Sequence, residues 1–182
     1  MIYNTIIIRF GELTTKGKNR KDFINKLATS IDKALFEYKG TYSLDVRHDH
    51  IYINILDYDK FSYEPLKEVS GINSFSLALK KEIFELNEII EEAYNIVLNE
   101  EGKTFKIATR RIDKSFPYIS DEINRAVASK ILKNSTLSVD VHQPDILLSI
   151  EIRNDGIYFF TTTIKALGGM PSRSAGRVLM ML

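Results

Sequence analysis

Apolar residues recur along the chain with two different periods, and the changes between them divide it into elements. Thr5-Ile6-Ile7-Ile8-Arg9-Phe10 is a short apolar run rich in β-branched residues and ending at Gly11, as expected of a buried central strand. From about residue 20 to 38, Phe23, Ile24, Leu27, Ile31, Ala34, Leu35 and Tyr38 recur at spacings of three and four, so a helix with one apolar stripe is predicted, stopped by Gly40. The period then becomes two. Tyr42, Leu44 and Val46 alternate with polar neighbours, and after Arg47-His48-Asp49-His50 the run Ile51 to Ile55 reads as the returning strand of a hairpin. A short helix around Pro65 to Val69, closed by Gly71, leads to a strand from Ser74 to Lys81 that alternates Phe75, Leu77 and Leu79. The order β-α-β-β-α-β is the ferredoxin-like arrangement, a sheet with both helices on one face.

A second unit begins near residue 85. Leu86, Ile89, Ile90, Ala93, Ile96 and Val97 mark a helix whose N-terminal half carries Glu85, Glu88, Glu91 and Glu92, the sign its macrodipole favours. A strand from Thr104 to Arg110 and a helix from about Asp121 to Lys133 follow, with Ser120 as the expected N-cap and Ile123, Val127 and Ile131 inward. Ile146, Leu148, Ile150 and Ile152 alternate, Asn154-Asp155-Gly156 supplies a turn, and Ile157 to Ile164 is expected to return as one strand. The fold class is therefore α+β, with domains at 1–82 and 83–167. Residues 168–182 are expected to be a linker and, in Val178 to Leu182, the first strand of a further α/β domain cut at its C-terminal end.

Composition narrows the classes. With 182 residues, 44% of them hydrophobic, the chain can bury one ordinary core or two small ones. It has no cysteine, which excludes disulfides, thiolate metal sites and cysteine nucleophiles within these residues. No apolar run has the roughly 18 residues a membrane span needs, and Met1-Ile2-Tyr3-Asn4 does not open a signal peptide, so a cytoplasmic protein without membrane contact is expected. The net charge of +1 conceals local balances of +3 over residues 1–56, −7 over 57–101 and +5 over 102–182. That division predicts a polyanion-binding face with the acidic middle segment turned away from it.

Three basic stretches are the candidates. Lys16, Lys18, Arg20 and Lys21 gather at the start of the first helix, where cations oppose the helix dipole and an anion would relieve the conflict. Asn19 with Asp22 resembles an Asx cap there, but the Gly-Lys-Ser/Thr ending of a P-loop is absent. Arg110, Arg111 and Lys114, with Ser115, Phe116 and Tyr118, end the Thr104 strand. Cations of this kind neutralise phosphates, and the two aromatics either stack on unpaired bases or pack beneath the loop. Lys165, Arg173 and Arg177 lie in a glycine-rich stretch that reads as flexible linker, RNA contact or both. His48 and His50 flank Asp49 but no further ligand is apparent, so no metal site is expected, and no catalytic motif is found.

Arg9-Phe10-Gly11-Glu12-Leu13 followed by Lys16-Gly17-Lys18-Asn19-Arg20 resembles the N-terminal signature of the tRNA 4-thiouridine synthetases, or tRNA sulfurtransferases. Phe105 to Arg111, Asp113 to Pro117, Pro144-Asp145, Glu151-Ile152-Arg153 and Gly168-Gly169-Met170-Pro171 continue the likeness through that family's THUMP domain and exit linker. Ser172-Arg173-Ser174-Ala175 departs from its more usual linker, as does His50 from a commoner basic residue. The resemblance implies a ferredoxin-like domain and a THUMP domain that together dock the tRNA acceptor stem and 3′ end without catalysis by these residues. It further implies a following domain that uses ATP with Mg to make 4-thiouridine at tRNA position 8, its pocket edged by Met181 and Leu182. A cysteine desulfurase as sulfur donor, a homodimer and sulfur supply to the thiamine thiazole are implied likewise. Two other classes stay open on the residues themselves: a stand-alone RNA-binding adaptor and a ferredoxin-like small-molecule regulatory module.

Overall fold

Ile6, Ile7 and Ile8 are all completely buried, so the first apolar run forms a strand, β1 (Thr5–Phe10), covered on both faces. The protein is described by a computed structural model over residues 3–10, 20–83 and 85–172, which fall into two units. One unit contains Asn4–Ser76 and the chain from Thr163; the other contains Leu77–Thr162.

In the first unit, β2 (Tyr42–Val46) and β3 (Ile51–Ile55) form an antiparallel hairpin, and β3 pairs antiparallel with β1 from Thr5↔Asn54 to Ile8↔Ile51. With β4 (Ile72–Lys81) beside β1, the order is β2-β3-β1-β4. Helix α1 (Arg20–Ala34) buries Ile24, Leu27 and Ile31, the predicted stripe. It ends four residues before the predicted limit. The chain tightens into a 3-10 turn at Phe36–Tyr38, and the Tyr38 carbonyl accepts from the Thr41 N–H (3.0 Å) and hydroxyl (2.7 Å) instead of continuing a helix. The second helical segment is a single 3-10 turn, Glu64–Glu68, with Pro65 at its start. In β4 the buried positions are Ile72, Phe75, Ser76 and Ala78, whereas Leu77 and Leu79 are only half-buried, so the predicted alternation slips after Phe75.

The second unit uses the end of β4, then β8 (Gly156–Phe160), β7 (Ile146–Arg153), β5 (Thr104–Arg111) and β6 (Ser138–Val139), in that order. Strand β5 runs parallel to both β7 and β6. Helices α2 (Leu86–Leu98) and α3 (Ser120–Asn134) set Ile89, Ala93, Val97, Ile123, Val127 and Ile131 against Phe105, Leu148, Ile150, Ile152 and Phe159. Residues alternate faces along a strand, so Glu151 and Arg153 lie opposite that core. There they form a buried pair, Arg153 Nη2 to Glu151 Oε2 at 2.9 Å.

Three expectations are corrected here. The return strand does not run from Ile157 to Ile164. It stops at Phe160, and Thr163–Lys165 forms a separate strand, β9, antiparallel to Ser74–Ser76 of β4 in the first unit. The chain then stays there: the Gly71 N–H donates to the Gly168 carbonyl and the Gly168 N–H to that of Ile72, both at 2.7 Å. Gly71 has φ +100°, and a Cβ would lie 2.9 Å from the Pro171 ring. The compact units change over after Ser76 and after Thr162. Second, Ser120 is the first residue of α3 rather than its cap, and the Glu122 carboxylate instead accepts from the Ile119 N–H at 3.0 Å. Third, Phe116 is no base-stacking residue: it is 7% exposed and belongs to the hydrophobic core of the second unit.

Two outcomes follow for stability. Phe116→Ala should cost about 3 to 5 kcal/mol, as a buried aromatic truncation does, while Tyr118→Ala should stay within about 0.5 kcal/mol; urea unfolding reads both. Asp145 Oδ2 accepts from the N–H groups of Lys103 (2.9 Å) and Thr104 (3.0 Å) and from the Thr104 hydroxyl (3.0 Å). These bonds, the backbone N–H groups first, hold its carboxyl below the ordinary range. A depressed carboxylate contributes stability that is complete above its unfolded pKa and is lost as pH falls through the folded one. Thermal unfolding of Asp145→Asn against wild type should therefore show a deficit at neutral pH that disappears in strong acid.

Candidate nucleic-acid interface

The predicted site residues that the structure describes fall into separate groups on the two units. Lys16, Lys18, Arg173, Arg177, Met181 and Leu182 lie outside the described residues, as do Asn19 and the Val178 to Leu182 run.

The loop after β5 is built from its backbone outward. The N–H groups of Ile112 and Asp113 both donate to the Ile152 carbonyl, at 2.9 and 3.1 Å, which keeps the chain against β7 just past the strand end. The Thr109 N–H donates to Asn124 Oδ1 of α3 at 3.0 Å. Strand alternation sends Arg110 and Arg111 to opposite faces. Arg110 is exposed; Arg111 is half-buried and its Nη1 donates to the Phe116 carbonyl at 2.9 Å. Asp113 Oδ1 accepts from both the Ser115 N–H (2.8 Å) and the Ser115 hydroxyl (2.6 Å). Those two bonds, the hydroxyl first, draw the Asp113 carboxyl below its ordinary range, with a smaller contribution from the charge of Arg111. Ser115 is thereby a structural partner of Asp113.

Lys114 is exposed at the tip, and Tyr118 is 38% exposed with its ring 6.0 Å from that of Phe116 at 58°. The aromatic pair is divided between packing and display. Among the described residues neither Arg110 nor Lys114 has an acid partner. Other cations of this unit are engaged: Lys80 with Asp155 (3.1 Å), Lys81 with Glu92 (3.5 Å), Lys130 with Glu91 (2.6 Å), and Lys106 with the Val141 carbonyl (2.9 Å). The first turn of α3 carries Asp121 and Glu122, so its own carboxylates complement the helix dipole.

On the first unit, Arg20 Nη2 donates to the His48 carbonyl at 2.6 Å, tying the start of α1 to the β2–β3 turn. Lys21 is exposed beside it. A cleft of about 440 Å³ is lined there by Arg20, Lys21, Ile24, Val46, Arg47 and His48, among others. Arg47 was not singled out from the sequence, where a cation in a hairpin turn looks like ordinary surface; it is braced by Asp45 through Nε (2.9 Å) and Nη2 (2.7 Å) and lies 5.0 Å from the centre of the Tyr52 ring. His50 Nδ1 is 2.8 Å from Asp49 Oδ2, while His48 Nδ1 is 3.8 Å from Oδ1. No group of three or more such residues among those described is arranged to hold a metal ion. Lys165 is exposed on β9, which belongs to the first unit. Asn124 and Glu122, which fix the two ends of that loop to α3, were also missed; the Glu three places after Ile119 was the available signal.

No helix among the described residues is long and apolar enough to cross a membrane. Two family models match the chain: the ThiI ferredoxin-like domain over residues 5–76 and the THUMP domain over residues 80–162. A probable tRNA sulfurtransferase of Geobacillus sp. (strain WCH70) is 43% identical over 189 aligned positions, covering 100% of this chain and 46% of that protein. The chain thus spans about half the length of the curated relatives it matches. Among solved structures, a 4-thiouridine synthetase in complex with RNA and bound ATP superposes with a TM-score of 0.80 at 28% identity, covering 96% of this chain and 45% of that one. A Pyrococcus horikoshii protein superposes at 0.77 with 32% identity, over 92% of this chain and 57% of its own. With a ThiI ferredoxin-like domain followed by a THUMP domain, and relatives named tRNA sulfurtransferase along its whole length, the chain belongs to the ThiI family.

Proposed function

We propose that this chain is the tRNA-docking part of an ATP-dependent tRNA sulfurtransferase that makes 4-thiouridine at tRNA position 8. The observation that carries the reading is the loop after β5, within the matched THUMP domain, which is tied down internally and leaves Arg110 and Lys114 exposed without acid partners among the described residues. Such cations bind phosphate oxygens and position a strand without reading its sequence. Tyr118, beside them, offers an exposed ring on which an unpaired base of the 3′ end stacks. On the ferredoxin-like domain, Arg20, Lys21 and Arg47 line the cleft that receives backbone phosphate of the acceptor stem, with Lys16 and Lys18 next to them in sequence. Lys165, exposed on β9, is a further cation in this reading, with Arg173 and Arg177 after it in sequence.

In this reading the catalytic steps belong to the whole cytoplasmic enzyme. Its partners are a cysteine desulfurase and a second copy of itself, and thiamine thiazole synthesis draws on the same sulfur. ATP supplies activation of the uridine oxygen there. ATP and Mg are assigned in this reading to the part of the enzyme that follows the docking domains. Met181 and Leu182, the expected edge of that pocket, lie outside the described residues. The residues described here bind and orient RNA and take no chemical step.

The test is a salt-titrated equilibrium binding assay of the chain with tRNA, intact or lacking its single-stranded 3′ end. Arg110→Gln and Lys114→Gln should each weaken binding and lower the slope of log affinity against log salt by about 0.7, the value for one single-strand phosphate contact. Removing the 3′ end should weaken wild type strongly and the double variant little. Unchanged affinity on reversing both charges would refute the assignment.

A further inference from the structure

The two adjacent arginines at the end of β5 have different surroundings. Arg110 projects into solvent, whereas Arg111 lies on the face that carries Phe105 and Ile107 and is half-buried. Its Nη1 donates across the loop to the Phe116 carbonyl at 2.9 Å, and Phe116 is itself held in the core. The guanidinium thus joins the last residue of the strand to the core-anchored end of the loop. Between these points the loop closes on itself through Asp113 and Ser115, and its start is held by the Ile152 carbonyl. Lys114 sits inside this closed segment, at the residue between Asp113 and Ser115.

We infer that Arg111 is a positioning residue, a brace that fixes the loop displaying Arg110 and Lys114, and not itself a ligand of RNA phosphate. This rests on the tRNA-docking reading for its effect on binding, while the brace itself is testable without RNA. A guanidinium suits the role because it is always charged and presents a rigid planar fork, so one N–H can hold a backbone carbonyl at a fixed angle. The negative charge of Asp113 close by offsets its positive charge, so a phosphate gains less from Arg111 than from Arg110 or Lys114. A brace and a phosphate ligand differ in salt dependence. Each phosphate contact adds to the counterions released, whereas a positioning residue changes affinity at every salt concentration alike.

The experiment compares Arg111→Met with Arg110→Met and Lys114→Met in two measurements on the intact chain. In tRNA binding, Arg110→Met and Lys114→Met should each flatten the salt slope by about 0.7. Arg111→Met should lower affinity, by roughly tenfold, with the slope of wild type. In amide hydrogen exchange of the RNA-free protein, Arg111→Met should speed exchange over residues 112–117 by roughly tenfold, and Arg110→Met should leave it unchanged. Arg111→Gln, which is shorter but keeps an N–H donor, is the milder variant for the same two readings. The inference is overturned if the Arg111 variants flatten the slope as much as the Arg110 variant, or if their loop amides exchange at the wild-type rate. If none of the variants alters tRNA binding, the docking reading fails, and the exchange rates still decide whether Arg111 is a brace.

Discussion

Burial of Phe116 constrains everything that follows strand β5. Its ring belongs to the hydrophobic core of the second unit, while Arg110, Lys114 and Tyr118 on either side are exposed. Burying one phenylalanine contributes roughly 1.5 to 3 kcal/mol, whereas ordering the backbone costs about 1 to 2 kcal/mol for each residue. One anchor cannot hold residues 112–118 alone. The loop therefore carries its own hydrogen bonds: two N–H groups onto the Ile152 carbonyl, the Arg111 fork onto Phe116, and the Asp113 carboxylate onto Ser115. Each contributes modestly, but together they set one conformation, and a preorganised loop does not lose that freedom again when it meets a ligand.

The same arrangement decides which charges are available. Ion pairs at the surface are worth about 0 to 1 kcal/mol, so pairing every lysine would stabilise this domain little. Lys80, Lys81 and Lys130 are nevertheless paired, and the acidic face of α2 is partly neutralised by two of them. Arg110, at the end of β5, and Lys114, on the loop after it, are among the cations left without an acid partner among the described residues. The acidic first turn of α3, with Asp121 and Glu122, complements the positive end of that helix's dipole.

The sequence by itself determined the strands and helices whose period is long enough to count: β1, the β2–β3 hairpin, α2, β5, α3 and β7 lie where hydrophobic spacing puts them, as does α1 up to its last turn. It also showed that basic residues gather after β5, and motif resemblance was enough to identify the family. Local pattern failed where long-range partners decide. Nothing between Phe160 and Thr163 is glycine or proline, so no turn signal separates β8 from β9. Only pairing of Thr163–Lys165 with Ser74–Ser76 ends one strand and begins the other in a different unit. The two-residue β6 is too short to show a period at all.

At the site, the roles of neighbours were beyond the sequence for a simple reason. Arg110 and Arg111, or Phe116 and Tyr118, are chemically alike and differ only in which way the backbone turns them. Tertiary structure sends Phe116 into the core and leaves Tyr118 outside, and it gives Arg111 a carbonyl to hold while Arg110 has none among the described residues. Residue type establishes what a side chain can bind; burial and hydrogen-bond partners, which depend on distant parts of the chain, determine whether it is free to do so.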